Sequence, residues 1–243
     1  MSLAQDRLFG DFTVENEERR QRIRRVFNTV APRYDLMNDL MSFGIHRLWK
    51  RRMAAHCAGI RGTVVDLAGG TGDVARLLVS PERSLTVCDP SLPMMQAGRA
   101  RHPAMDGGLR WLAGEAERLP LANASVDLLT VAFGLRNATR LKDALAEIHR
   151  VLKPGGRFVC LEFSRPAPWL APAYDLYSRL VIPRLGAAVA GAPEAYRYLV
   201  ESIRRFPDQR EFAALIAGTG FECVHWENLS FGIASLHFGT QAH

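Results

Sequence analysis

Between Thr63 and Asp73 the chain reads TVVDLAGGTGD. Val64, Val65 and Leu67 form a short apolar run of the kind that makes a buried strand. Residues Val74 to Val79 have helical composition, and Gly69, Gly70, Thr71 and Gly72 lie between the two. A glycine turn from strand to helix lets the backbone approach a ligand with no Cβ in the way. It also aims unpaired helix N–H groups at that ligand. Asp66 sits in the strand, and Asp89 follows the next apolar run, Ser84 to Cys88. A carboxylate at the end of such a strand can accept two hydrogen bonds from the hydroxyls of a ribose. The loop is therefore the expected cofactor site.

Two cofactors fit it. Gly70, Gly72 and Ala75 follow the GxGxxA spacing of the dinucleotide fingerprint, with Asp89 as the ribose-binding acid. The same stretch resembles the first motif of S-adenosylmethionine methyltransferases, carried by Asp66, Ala68, Gly70 and Gly72, with Ala68 in place of that motif's first glycine. Both cofactors present a ribose diol, so Asp89 suits either, and a tight structural turn would use the same glycines.

The elements that must position this loop alternate. Strands are expected at Thr63–Leu67, Ser84–Cys88, Leu109–Ala113, Val126–Phe133 and Arg157–Phe163, with helices at 91–101 and 140–152. Such alternation predicts a doubly wound, mainly parallel sheet covered on both faces, with ligands beyond the C-terminal strand ends. Before it, Ile23, Val26, Phe27 and Val30 keep helical spacing, and a second helix is expected over 45–57. With no strand expected among the first fifty or so residues, positions 1–58 read as a helical cap. Five prolines punctuate 165–206, read as an inserted helical lid of short pieces after the 59–164 core. A last helix at 208–217 precedes two strands near 222–227 and 230–237, so 207–243 closes the single domain with a hairpin.

Composition narrows the class. The chain has 243 residues, 48% hydrophobic and 23% charged, which suits one α/β domain with additions. Cys57, Cys88, Cys160 and Cys223 make no CxxC or zinc spacing and are expected as buried free thiols in a reducing cytosol. The seven histidines are dispersed, and no metal site is expected. The formal charge is +6, with basic runs at Arg19–Arg25 and Arg47–Arg52. Such runs suit an anionic membrane surface or a solvated helix face. Without an RNA-binding aromatic signature or zinc finger, nucleic acid is not an expected partner. No apolar run reaches membrane-spanning length, and the N-terminus lacks the order of a signal peptide.

Two features favour the methyltransferase. Leu152 to Gly156 (LKPGG), between a helix and the fifth strand, resembles a late motif of class I methyltransferases. The final hairpin implies a reversed strand, which that fold has and the usual dehydrogenase fold lacks. More specific are two long segments. Residues 34–50, YDLMNDLMSFGIHRLWK, resemble the N-terminal signature of the ubiquinone/menaquinone biosynthesis C-methyltransferases, the UbiE family. Residues 150–164, RVLKPGGRFVCLEFS, resemble that family's second signature, and 133–137, 196–203 and 206–209 also match. LAGGTGD is the family's own version of the loop.

The resemblance implies a Rossmann-like class I methyltransferase with a seven-stranded sheet whose last strand is antiparallel. It implies C-methylation of a polyprenylated quinol ring by S-adenosylmethionine, in ubiquinone or menaquinone biosynthesis or both. Asp66, Gly69, Gly70, Thr71 and Gly72 would hold the methionine end, Asp89 the ribose, and Glu115 and Ala116 the adenine, with Ala132 nearby. Many relatives have Asn at the position of Glu115 and Ser at that of Ala132. Arg136 and Asn137 are expected to orient the quinol and stabilise its oxyanion. His46 is expected as a proton relay, and Tyr34, Asp35, Asn38, Trp49 and Phe133 as the cover over the substrate. The bilayer-bound tail implies peripheral attachment on the inner face of the cell membrane. The lid suits a homodimer or a quinone-biosynthesis complex. The rivals are an O- or N-methyltransferase of the same fold, a nicotinamide-dependent reductase and a non-catalytic binding module.

Overall fold

The computed structural model describes residues 8–9, 12–13, 39, 42–101, 108–190 and 193–242. The helix expected over Ile23 to Val30 and the candidates Tyr34, Asp35 and Asn38 lie outside them.

Seven strands form the central sheet: β3 (Gly62–Leu67), β4 (Arg83–Asp89), β5 (Leu109–Ala113), β6 (Val126–Ala132), β7 (Leu152–Phe163), β8 (Phe221–Leu229) and β9 (Ala234–Gln241). They lie in the order β5-β4-β3-β6-β7-β9-β8. Neighbours are parallel from β5 to β7, and β9 runs antiparallel to both β7 and β8. The mainly parallel sheet with a reversed last strand is thus as expected. Side-chain alternation along β3 builds a core on each face. Val65 and Leu67 join Ile148, Phe158 and Phe212 on one side, and Val64 joins Trp49, Met53, Val74 and Leu161 on the other.

Helices cover those faces. The first is α1 (Ile45–His56), followed by α2 (Asp73–Leu78), α3 (Leu92–Arg101) and α4 (Leu141–Val151). Along α4, Ala144, Leu145, Ile148 and Val151 are buried at helical spacing. After the sheet's fifth strand in sequence come α5 (Ala171–Ala190), α6 (Pro193–Arg205) and α7 (Gln209–Ala217). A capping box starts α7: Asp208 Oδ1 accepts the Glu211 N–H at 2.8 Å, and Glu211 Oε2 accepts the Asp208 N–H at 3.0 Å.

Four local expectations are corrected. β1 (Leu8–Phe9) pairs antiparallel with β2 (Phe12–Thr13) in the region read as strandless. The run LFGDFT carries the signal, because Gly-Asp between β-forming residues is hairpin chemistry. Pro154 and the glycines beside it do not break the chain before the fifth strand: β7 begins at Leu152, and residues 153–156 bulge opposite Asp127. Lys153 Nζ and the Thr63 N–H both donate to Asp127 Oδ2, at 2.7 and 2.8 Å, which secures the bulge. Nor does Pro183 divide the lid, since α5 continues through it. A proline removes one helical hydrogen bond, a local cost of about 3 kcal/mol that packing can offset. Last, Cys57, Cys88 and Cys160 are buried but Cys223 is exposed. It falls at the irregularity between Glu222 and His225 with φ +52°, where the strand bulges.

Candidate active site

A cleft opens beyond the C-terminal ends of β3, β4 and β6, where the strand order reverses and open α/β sheets bind ligands. The chain leaves β3 through Ala68 at φ +52° and leaves β6 through Phe133 at φ +59°. Left-handed backbone at a residue with a Cβ costs about 1–3 kcal/mol and persists only when its surroundings fix it. Here they do. The Phe133 N–H donates to the Leu161 carbonyl at 2.8 Å. Its ring packs 4.7 Å from that of Phe163 and 6.3 Å from that of Trp49, centroid to centroid.

Gly70 forms the floor of the loop at φ +53°, with its N–H donated to Asp89 Oδ2 at 2.9 Å. A Cβ there would stand 3.0 Å from Met94 Cε. On the far side α3 presses against the loop, and a Cβ on Gly98 would lie 2.4 Å from the Thr71 carbonyl oxygen. That contact is with backbone, so glycine is required for α3 to approach.

Two carboxylates are buried in the site. Asp89 Oδ1 also accepts the Ser91 N–H at 2.7 Å, yet burial pushes its carboxyl up to about 6. Asp66 accepts the Thr130 hydroxyl at 2.9 Å and the Ala75 N–H at 3.1 Å, and burial raises it to about 7. A third, Asp73, receives the Lys50 ammonium at 3.1 Å on Oδ2, and the Thr71 hydroxyl at 3.3 Å and the Arg76 guanidinium on Oδ1. Burial raises the Asp73 carboxyl, and these cationic and hydroxyl donors outweigh it, so the group stays below its ordinary value.

The aromatic side of the site is braced by α1. Trp49 donates its indole N–H to the Ser230 hydroxyl at 3.0 Å. One turn earlier, His46 is buried with Nε2 2.9 Å from Asp39 Oδ1, while Nδ1 is buried and unpartnered. Burial lowers the His46 pKa more than the Asp39 carboxylate raises it. Asp39 itself is held at about 2, chiefly by its hydrogen bond from Arg47. Behind Phe133, Arg136 Nη1 donates to Glu162 Oε1 at 2.8 Å and to the Phe133 carbonyl. Its guanidinium stacks 5.5 Å from the Phe163 centroid. Asn137 Oδ1 accepts the Tyr198 hydroxyl of α6 at 3.1 Å, tying the lid to the cleft.

The sequence model of the ubiE/COQ5 methyltransferase family matches residues 13–241. The chain belongs to that family. It is 65% identical to the ubiquinone/menaquinone biosynthesis C-methyltransferase UbiE of Rubrivivax gelatinosus, over 97% of this chain and 93% of that one. Identity to the UbiE of Dinoroseobacter shibae is 50%, over 95% of each. Among solved structures, a Thermotoga maritima SAM-dependent methyltransferase, described as a possible histamine N-methyltransferase, shares the fold with TM-score 0.66 at 21% identity. That match covers 89% of this chain and 99% of the other.

For a methyltransferase of the ubiE/COQ5 family the cleft has the chemistry its S-adenosylmethionine donor needs. Gly70 leaves space that a Cβ would narrow, Asp89 offers carboxylate oxygens, and Met94, Ala132 and Phe133 supply apolar walls. Asp66, Gly69, Gly70, Thr71, Asp89, Glu115, Ala116, Ala132, Phe133 and Asn137 come together along it. Gly72, His46, Trp49 and Arg136 stand behind this lining. Gly72 shapes the turn at φ +80°, and the other three brace or pair as described. Sequence reasoning missed Lys50, Asp73, Ser91, Met94, Glu117 and Thr139, which also line the cleft. Lys50 had a readable signal, since it follows His46 by four residues on one helix, but its place in a basic run read as surface charge.

Proposed function

We propose that this methyltransferase of the ubiE/COQ5 family methylates a ring carbon of a polyprenylated quinol. One observation carries this reading beyond the family: the glycine loop, the ribose-type carboxylate Asp89 and the strand-end pair Phe133 and Asn137 line a single cleft. S-adenosylmethionine, when bound, supplies an electrophilic methyl on a sulfonium. Asp89 accepts the ribose hydroxyls, Gly69 to Thr71 pass beside the methionine end, and Glu115 and Ala116 border the adenine.

The chain's remaining work concerns the quinol. A phenolic hydroxyl ionises near pH 10, and its ring carbon becomes nucleophilic only as that proton leaves. His46, behind the lining, is the proposed proton relay and receives the proton through a bridging water: Asp39 holds Nε2–H, Nδ1 keeps its lone pair, and burial keeps the imidazole neutral near pH 7. Asn137, whose Oδ1 accepts from Tyr198 and whose Nδ2 donates to the Phe133 carbonyl, offers its second amide hydrogen to a ring oxygen. Arg136 is assigned a positioning role: its Nη1 donates to Glu162 and to the Phe133 carbonyl, behind the lining, while its Nε is buried without a partner. Apolar walls at Ala132, Phe133 and Met94 lower the local dielectric, which favours a step in which a quinolate and a sulfonium lose their opposite charges.

Membrane attachment is the second part of the proposal. Among the described residues no helix is long and apolar enough to cross a membrane. Large apolar side chains are nonetheless exposed on and beside the lid: Trp169 at 67%, Leu176 at 61% and Phe231 at 66%, with Phe43 at 75% before α1. The Phe43 and Tyr177 rings lie 5.9 Å apart, and those of Trp169 and Phe231 5.1 Å apart. Such a surface suits docking on the bilayer that holds the isoprenoid tail. Co-sedimentation with anionic vesicles at low salt tests it, and a protein left in the supernatant refutes it.

Deletion of the gene tests the reaction. The expected result is accumulation of a quinone precursor lacking one ring methyl, and its ring system identifies the benzoquinol or naphthoquinol substrate. Unchanged quinone pools would overturn the reading.

A further inference from the structure

The cleft is strongly unbalanced in charge. Asp66, Asp73, Asp89, Glu115 and Glu117 bring five carboxyl groups to its lining, and Lys50 is the one cationic side chain among the described lining residues. The donor assigned to this cleft ends in an α-carboxylate. The α-ammonium and sulfonium of that donor suit the carboxyl groups, whereas its α-carboxylate needs a cation of the protein within reach.

The order of the strands says where that anion lies. Asp89 ends β4, Glu115 and Ala116 follow β5, and the glycine loop follows β3, so the three stations sit side by side in the order β5-β4-β3. Adjacent strands are about 4.8 Å apart. A ribose at Asp89 with its adenine toward β5 therefore extends its amino-acid arm over β3 and the glycine loop. At that end stands Lys50, only 7% exposed, on α1 and reaching across to the first residue of α2.

We propose that Lys50 is the counter-ion for the α-carboxylate of the cofactor, held in position by Asp73. The proposal rests on the cofactor reading above. An ammonium has three N–H donors. Asp73 accepts one of them at 3.1 Å, and the others are available to a ligand in the cleft that Lys50 lines. Asp73 is fixed from its other side by Arg76 and Thr71, so it works as an anchor and not as a competitor that must be displaced. Because Lys50 sits on α1 and Asp73 on the loop helix, the cofactor's amino-acid end ties the leading helix to the sheet.

Calorimetry with two ligands tests this: S-adenosylhomocysteine, which carries the carboxylate, and 5′-methylthioadenosine, which has the same nucleoside and no amino-acid arm. Lys50→Met should weaken S-adenosylhomocysteine binding about 10- to 100-fold, the loss of a charge-assisted bond, and leave 5′-methylthioadenosine binding unchanged. Lys50→Arg should recover most of the loss. Retained 5′-methylthioadenosine binding also shows that the variant is folded. If Lys50→Met binds S-adenosylhomocysteine as the parent does, or loses both ligands equally, Lys50 is a structural ion-pair partner and the proposal is overturned. A parent protein that binds neither ligand overturns the cofactor reading itself, and this proposal with it.

Discussion

Trp49 donates its indole N–H to the Ser230 hydroxyl at 3.0 Å across 181 residues of sequence, tying the helix before the sheet to the connection between its last two strands. The same ring contacts Phe133 at one end of the cleft and stands edge-on to Phe163, 6.2 Å between centroids. Trp49 is therefore the joint between the leading helix and the substrate side. Trp49→Phe should cost about 1 kcal/mol by removing the hydrogen bond, and Trp49→Ala about 3–5 kcal/mol by opening a cavity. Urea melts check both. For Trp49→Phe the KM for the quinol should rise while S-adenosylhomocysteine affinity stays constant.

Asp89 predicts how cofactor binding depends on pH. Ribose hydroxyls donate to the ionised carboxylate, so binding lowers the Asp89 pKa and releases a proton wherever the free protein holds one. With the free carboxyl at about 6, S-adenosylhomocysteine affinity should be flat above pH 7 and about tenfold weaker at pH 5. Asp89→Asn should bind more weakly and lose that step. Calorimetry across pH reads both, and a parent affinity unchanged at pH 5 contradicts the assignment.

Gly98 tests the packing behind the loop. Gly98→Ala places a methyl against the Thr71 carbonyl, which must move. The expected cost is about 1–3 kcal/mol in stability, as for other overpacked sites. A tenfold or greater loss of S-adenosylhomocysteine affinity should accompany it, because the displaced segment is the cofactor loop. Thermal melts and binding measured on the same sample decide it.

The five parallel strands were legible because each contains a short apolar run, and the parallel core follows from their alternation with helices. The glycine loop, Asp89 and the pair Glu115 and Ala116 were legible for a related reason: each lies at or just past a strand's C-terminal end. What escaped depends on contacts far apart in sequence. Lys50 faces the cleft only because α1 packs beside α2, and Gly98 matters only because α3 meets the loop. Arg136 reads equally well as a substrate ligand or an ion-pair partner, and only the fold brings Glu162, 26 residues later, beside it. The helix through Pro183 shows the same limit, because local propensity alone ends a helix at a proline.

His46 and Asp39 make a prediction about rate. His46→Gln should lower turnover about 10²- to 10⁴-fold, the usual worth of a positioned proton acceptor, and leave S-adenosylhomocysteine affinity unchanged. In the parent, turnover should rise with pH through a value below 6.5 as His46 becomes neutral, then level off. Asp39 raises the His46 pKa, so Asp39→Asn should move that rise to lower pH and reduce the plateau. Stopped assays from pH 5 to 8 provide the test, and a near-normal turnover in His46→Gln removes the histidine from the mechanism.

The central claim is that the donor in this cleft delivers its methyl to carbon. Its most direct test uses S-adenosylmethionine with a trideuterated methyl, the purified protein and a short-chain quinol, with the product read by mass spectrometry and carbon NMR. The predicted product carries the intact CD3 group on a ring carbon beside a hydroxyl. A CD3 group on oxygen, or no label in the quinol, would contradict it.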